Sequence, residues 1–184
     1  MSENNIKIAT YIMIAAAFVI VMSIFMANIF TINSFWTAIP TMFILSLTAV
    51  FLFDSVYFIE FIDSPKTPFD LLLDFSLTLL ILAIATLVYY DTMAPVVFVM
   101  LAAAFMVAVL KYWIASKRQH RSDVQKFIKK KAILDVIGAC SYVVFAIVSF
   151  FFSFTAPYFL LITAAIYIGF MVYGTVTPFF NVEN

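Results

Sequence analysis

Residues 69–90 read FDLLLDFSLTLLILAIATLVYY, residues 94–114 read APVVFVMLAAAFMVAVLKYWI, and only Asp91 to Met93 stand between them. Each run has the length, about 20 residues, that a helix rising about 1.5 Å per residue needs to cross a hydrocarbon core of roughly 30 Å. A three-residue connection leaves room only for a tight turn, so the pair reads as a transmembrane helical hairpin.

The same pattern recurs on either side. Apolar spans run from about Ile8 to Phe30, Thr37 to Phe61, Ala132 to Phe154 and Pro157 to Phe179, with short turns at Asn33-Ser34 and Thr155-Ala156. The expectation is an all-α, polytopic membrane protein with six transmembrane helices arranged as three hairpins, over about 8–61, 69–114 and 132–179, in one domain spanning residues 1–184. Composition agrees: 66% of the chain is apolar and 11% charged, with a mean hydropathy of +1.13, more apolar surface than a soluble domain of this size can bury.

Charge distribution sets the expected orientation. Seven of the ten basic residues, Lys117, Arg118, Arg121, Lys126, Lys129, Lys130 and Lys131, fall in the stretch 116–131, and the three hairpin turns carry none. The positive-inside rule makes that connector cytoplasmic, and an even number of spans in the cell (cytoplasmic) membrane then puts both termini in the cytoplasm too, in keeping with Lys7 and Lys66. Residues 1–6 lack the basic region of a secretory signal, so the first span reads as a retained helix. Val124, Phe127 and Ile128 can form one face of a short amphipathic helix on the membrane surface, with the seven basic side chains meeting anionic lipid headgroups. Topology explains this charge without nucleic acid.

The hairpins also repeat. Leu72-Leu-Asp74 opens the third span and Ile133-Leu-Asp135 the fifth, while Thr92-Met-Ala-Pro95 and Thr155-Ala-Pro157 open the fourth and sixth; the first hairpin keeps Thr37-Ala-Ile-Pro40. Proline is tolerated in a first helical turn, where its missing N–H has no intrahelical partner, and a preceding threonine can cap exposed donors. Each Thr-Pro element therefore reads as the start of an inward-running helix. Three hairpins in a chain of this length, with a proline at each outer turn and Ile137-Gly138 early in an outward helix, resemble the HdeD-type acid-resistance membrane proteins. That resemblance implies an inner-membrane protein linked to stress tolerance and carries over no catalytic residue. Members of that family are glycine-rich along the helices; here only Gly138, Gly169 and Gly174 occur.

Ionisable residues inside a membrane cost about 2.5 to 3.5 kcal/mol each on insertion scales and call for an explanation. Asp54 and Lys111 stand 14 and 16 residues beyond Pro40 and Pro95, which puts both in the inner third of their helices. Asp70, Asp74 and Asp135 start from the inner ends of outward helices and reach a similar depth. Asp54, Asp74, Asp135 and Lys111 thus form a candidate ion or proton site, with Lys111 as the one basic partner and Tyr57 a turn from Asp54. The competing reading gives the aspartates to helix-dipole ends and lets Lys111 reach the headgroups, leaving Asp54 the least comfortable. Glu60 reads as a helix-end charge, and Trp36, Tyr89, Tyr90, Tyr158, Tyr112 and Trp113 as interfacial belts.

Other chemistries find no support. Walker, dinucleotide, paired-histidine and nucleophile-elbow motifs are absent, His120 stands among bases outside the spans, and a lone Cys140 reads as a small packing residue. No cofactor or metal is expected. The expected function is non-enzymatic, stress-associated in the HdeD-like manner. The alternatives are a small proton- or cation-coupled transporter or channel, and an accessory subunit of a membrane complex, with homo-oligomer or complex partners. Close helix packing is assigned to Ala15 to Ala17, Ala102 to Ala104 and Ala164-Ala165.

Overall fold

The computed structural model describes residues 2–30, 32, 34–60, 66–90 and 93–176, with the side chains of 57–60, 123 and 170–176 left aside. Tyr57 and Glu60 as side chains, Asp91, the connector residues 61–65 and the C-terminal 177–184 lie outside the described residues.

Among the described residues six α-helices follow one another: α1 (Glu3–Ile29), α2 (Phe35–Glu60), α3 (Pro68–Leu87), α4 (Ala94–Arg118), α5 (Ser122–Phe151) and α6 (Ala156–Val176), with a 3-10 turn at Ser153–Thr155. Among the described residues there is no strand. α1 to α5 are each long and apolar enough to cross a bilayer, and an apolar helix continues over Ser153–Gly169. That is the make-up of a multi-pass membrane protein.

Local chemistry explains most boundaries. At α3, Thr67 and Asp70 form a capping box: the Thr67 hydroxyl accepts from the Asp70 amide while the Thr67 amide donates to the Asp70 carboxylate at 2.7 Å, and Pro68 occupies the first turn. α2 starts five residues earlier than its proline suggests. Reciprocal bonds between Ser34 and Thr37 open the helix, and Pro40 lies inside it rather than marking its start. Before α6, the Thr155 hydroxyl turns back to the Phe152 carbonyl at 2.7 Å and does not cap the helix.

The hairpin scheme needs correction. The basic stretch 116–131 is not a connector with a separate surface helix; α4 runs on to Arg118 and α5 begins at Ser122, so only 119–121 turn the chain. α4 and α5 then pack along most of their lengths, the most extensive helix pairing in the bundle. Small residues permit this approach: Ala104 and Ala115 on α4, and Ala139 and Ala146 on α5, are buried. At Gly138 a Cβ would lie 2.7 Å from the Phe105 ring, so any larger residue there would force that ring to shift.

α5 and α6, expected as the third hairpin, keep their backbones apart, and α6 packs on α2. Aromatic rings fill the gap. Phe145 and Phe159 stack at 4.3 Å between centroids, Phe98 meets both edge-on, and the Tyr142 and Tyr167 hydroxyls share a hydrogen bond of 2.7 Å. α3 packs on both α4 and α1.

The start of α1, the start of α3, the end of α2 and the 119–121 turn gather at one end of the bundle, called the basic end below. The end of α1 and the start of α2, the end of α3 and the start of α4, and the Ser153–Thr155 turn lie at the other. With 30 residues, α5 is about 45 Å long at about 1.5 Å per residue, and exceeds a hydrocarbon core of roughly 30 Å. A helix of that length can carry its basic first turns beyond the core. Val124, Phe127 and Ile128 do not face a membrane surface: Ile128 is fully buried against Tyr112 and Ala115, with the other two packed alongside.

The alanine clusters divide by face. Ala17, Ala102, Ala104 and Ala164 are buried, whereas Ala15, Ala16, Ala103 and Ala165 face outward, as Cys140 does.

Candidate functional site: a buried charged layer at the basic end

Asp74 is the seventh residue of α3, and Lys111 stands seven residues before the last residue of α4, so antiparallel packing of the two helices sets them level. The Lys111 ammonium lies 2.5 Å from Asp74 Oδ1, with both side chains almost wholly enclosed at 4% and 7% exposure. α1 completes the pair: the Thr10 hydroxyl, 3.1 Å from the Ile6 carbonyl, also reaches Asp74 Oδ2 at 3.4 Å.

One turn nearer the end, Asp70 serves two purposes. Its Oδ2 closes the α3 capping box and also accepts from Arg118 at 2.6 Å, which ties α3 to the last turn of α4. Beside it, buried Lys66 precedes α3, outside the membrane-spanning segments. Burial pushes its ammonium down to about 7, and the Lys111 charge adds to this while Asp74 and Asp70 oppose it.

On another face of α4 lies a second group. Tyr112 follows Lys111 in the chain and so points about 100° away around the helix, toward α2 and α5. Its hydroxyl donates to Asp54 Oδ1 at 2.6 Å, and Lys131 reaches the same oxygen at 3.1 Å. Lys131 also meets Asp135 Oδ1 at 3.5 Å and sits over the Tyr112 ring, 4.7 Å from its centroid. Asp135 Oδ2 is buried without a hydrogen-bond partner. Two carboxylates thus share one ammonium, and a buried acceptor, Asp135 Oδ2, is left bare.

All four candidate residues, Asp54, Asp74, Asp135 and Lys111, lie in this layer, but they do not form one ring. Lys111 pairs with Asp74, and a second cation, Lys131, holds Asp54 and Asp135. The reading of Lys111 as the one basic partner is therefore corrected. So is the assignment of Lys131 and Arg118 to lipid contact, since both turn inward to carboxylates. Lys117, Arg121, Lys126, Lys129 and Lys130 remain exposed, with His120. Tyr112, read as an interfacial belt residue, is fully buried, while its neighbour Trp113 faces outward.

Thr10, Arg118, Tyr112 and Lys131 belong to the layer without having been singled out for it. For Lys131 a signal was available: on a helix starting at Ser122 it shares the face of Ile128 and Asp135, at i+3 and i−4, and Lys129 and Lys130 do not. Among the described residues, no three His, Cys, Asp or Glu side chains are grouped to hold a metal ion.

Fold and layer together define a helical, multi-pass membrane protein with internally paired charges. Comparison with protein-family models, with curated proteins and with solved structures found no match.

Proposed function

We propose that this chain is a non-catalytic, multi-pass protein of the cytoplasmic membrane whose buried charges lock its helices into one arrangement, as suits a scaffold or an accessory subunit of a membrane complex. One observation carries the reading: Asp74 pairs with Lys111, Asp70 with Arg118, and Asp54 and Asp135 with Lys131, and the Asp74–Lys111 pair is almost wholly enclosed. Isolated charges at such depth are costly, and pairing removes most of that cost only in the correct helix register. A wrong register strands charges, so the layer selects one packing. The basic end faces the cytoplasm in this reading, by the excess of Lys and Arg there. The resemblance to acid-resistance membrane proteins adds a stress-related setting.

A second reading rests on Asp135. A buried carboxylate oxygen without a partner, beside a second carboxylate and a single ammonium, is a place where a proton can be held and released. That chemistry suits proton- or cation-coupled passage.

Purified protein in liposomes, under an imposed pH gradient and then an imposed voltage, separates the two. Scaffolding expects no proton or monovalent-cation flux above that of empty liposomes. Flux that Asp54→Asn or Asp135→Asn abolishes would overturn it in favour of transport.

A further inference from the structure

At the basic end α4 and α5 leave a groove of about 580 Å³ between them, within the size range of small-molecule sites. Its walls are apolar, with Val109 and Trp113 from α4 and Ile133 and Val136 from α5, while Lys117 and Lys129 line its polar end. The Lys117 ammonium rests 3.5 Å from the centroid of the Trp113 ring, and that ring is half exposed. Among the described residues neither lysine is in an ion pair, whereas Arg118 and Lys131, their neighbours in sequence, are both committed to internal carboxylates.

Position matters as much as composition. Lys129 lies on the part of α5 that its length can carry beyond the hydrocarbon core, which places both ammoniums at headgroup depth, with Val109, Ile133 and Val136 deeper. Tryptophan is favoured at that boundary, where its ring is apolar and its N–H is wet. A cationic mouth over an apolar trough, oriented along the bilayer normal, matches a molecule with one anionic end and one hydrocarbon end.

We propose that this groove binds an anionic phospholipid, its phosphodiester between Lys117 and Lys129 and one acyl chain along Val109, Ile133 and Val136. The proposal rests on the bilayer-spanning reading and not on the paired layer.

Tryptophan quenching by brominated lipid tests it. In a Trp36→Phe background Trp113 is the sole tryptophan. The protein is reconstituted in phosphatidylcholine bilayers containing brominated phosphatidylglycerol or, in parallel, brominated phosphatidylcholine. Two lysines near a membrane surface, at about 1 kcal/mol each, are expected to give roughly thirtyfold preference for the anionic lipid at Trp113. Lys117→Gln with Lys129→Gln should bring the preference close to unity, Lys126→Gln with Lys130→Gln should leave most of it, and millimolar inorganic phosphate should not compete. Equal quenching by the two lipids, or equal losses from the two lysine pairs, would overturn the proposal. Should the lysine variants fail to fold, Val136→Phe fills the trough without altering charge and must lower the preference; an unchanged preference there also overturns it. Quenching by both lipids without preference would show an inserted chain and leave the scaffold reading standing.

Discussion

Lys131→Met is the most informative single substitution. Lys131 is the cation for two carboxylates, Asp54 at 3.1 Å and Asp135 at 3.5 Å, and its side chain is only 16% exposed. Methionine keeps the apolar stem over Tyr112 but leaves both aspartates without their ammonium. Removing one partner of a buried ion pair costs about 3 to 5 kcal/mol, and the 22% exposure of Asp54 argues for the lower end, about 3 kcal/mol. For a chain of this size each kcal/mol moves Tm by about 2 to 4 °C, so a fall of about 6 to 12 °C is expected in detergent. Lys130→Met, one residue away and exposed, should move Tm by no more than about 1 °C. Adding Asp54→Asn and Asp135→Asn to Lys131→Met should restore much of the loss, because the stranded charges are then gone. Equal melting of Lys131→Met and Lys130→Met would refute the reasoning and return Lys131 to the membrane surface.

Two further outcomes are expected. Ala104→Leu adds volume where α4 meets its neighbours and should destabilise by about 1 to 3 kcal/mol, while Ala103→Leu, on the outward face, should leave the detergent melting curve unchanged; the reverse order would contradict the packing. Lys66 has its folded-state value lowered to about 7, so between pH 7 and its ordinary value of 10.5 the unfolded chain binds the extra proton and stability rises with pH. The cost of burying the charge is complete below pH 7, so Lys66→Met should raise Tm at pH 6 and much less at pH 9, and a gain independent of pH would count against a buried ammonium.

Apolar run length made the helices legible in the sequence, because lipid demands about 20 apolar residues per crossing whatever the fold. Helix pairing was not legible by that route. The basic residues 116–131 interrupt hydropathy and look like a loop, yet Ala115, Ile128 and Ala132 keep a helical stripe that lets α4 and α5 run through the basic region. Depth along a helix was accessible from counting, which is why Asp54, Asp74, Asp135 and Lys111 lie in one layer. Partner choice depends on rotation about each helix axis. Lys111 and Tyr112 are adjacent in sequence and, about 100° apart around α4, serve separate charge groups. Within Lys129-Lys130-Lys131, only the third has the rotation that turns it inward. The prolines mislead for a related reason: Pro95 and Pro157 do lie in first turns, but Ser34 and Thr37 open α2 ahead of Pro40.

The central claim, that buried ion pairs lock the helices, is tested most directly by a double-mutant cycle on Asp74 and Lys111 in bilayer-mimicking bicelles. Asp74→Asn, Lys111→Met and the pair together are compared for unfolding free energy. The expected result is that each single variant loses several kcal/mol, about 3 or more, and that the double variant recovers most of it, because no charge is then left unpaired. Additive losses, or single variants as stable as the wild type, would contradict the claim and leave the layer without a structural role.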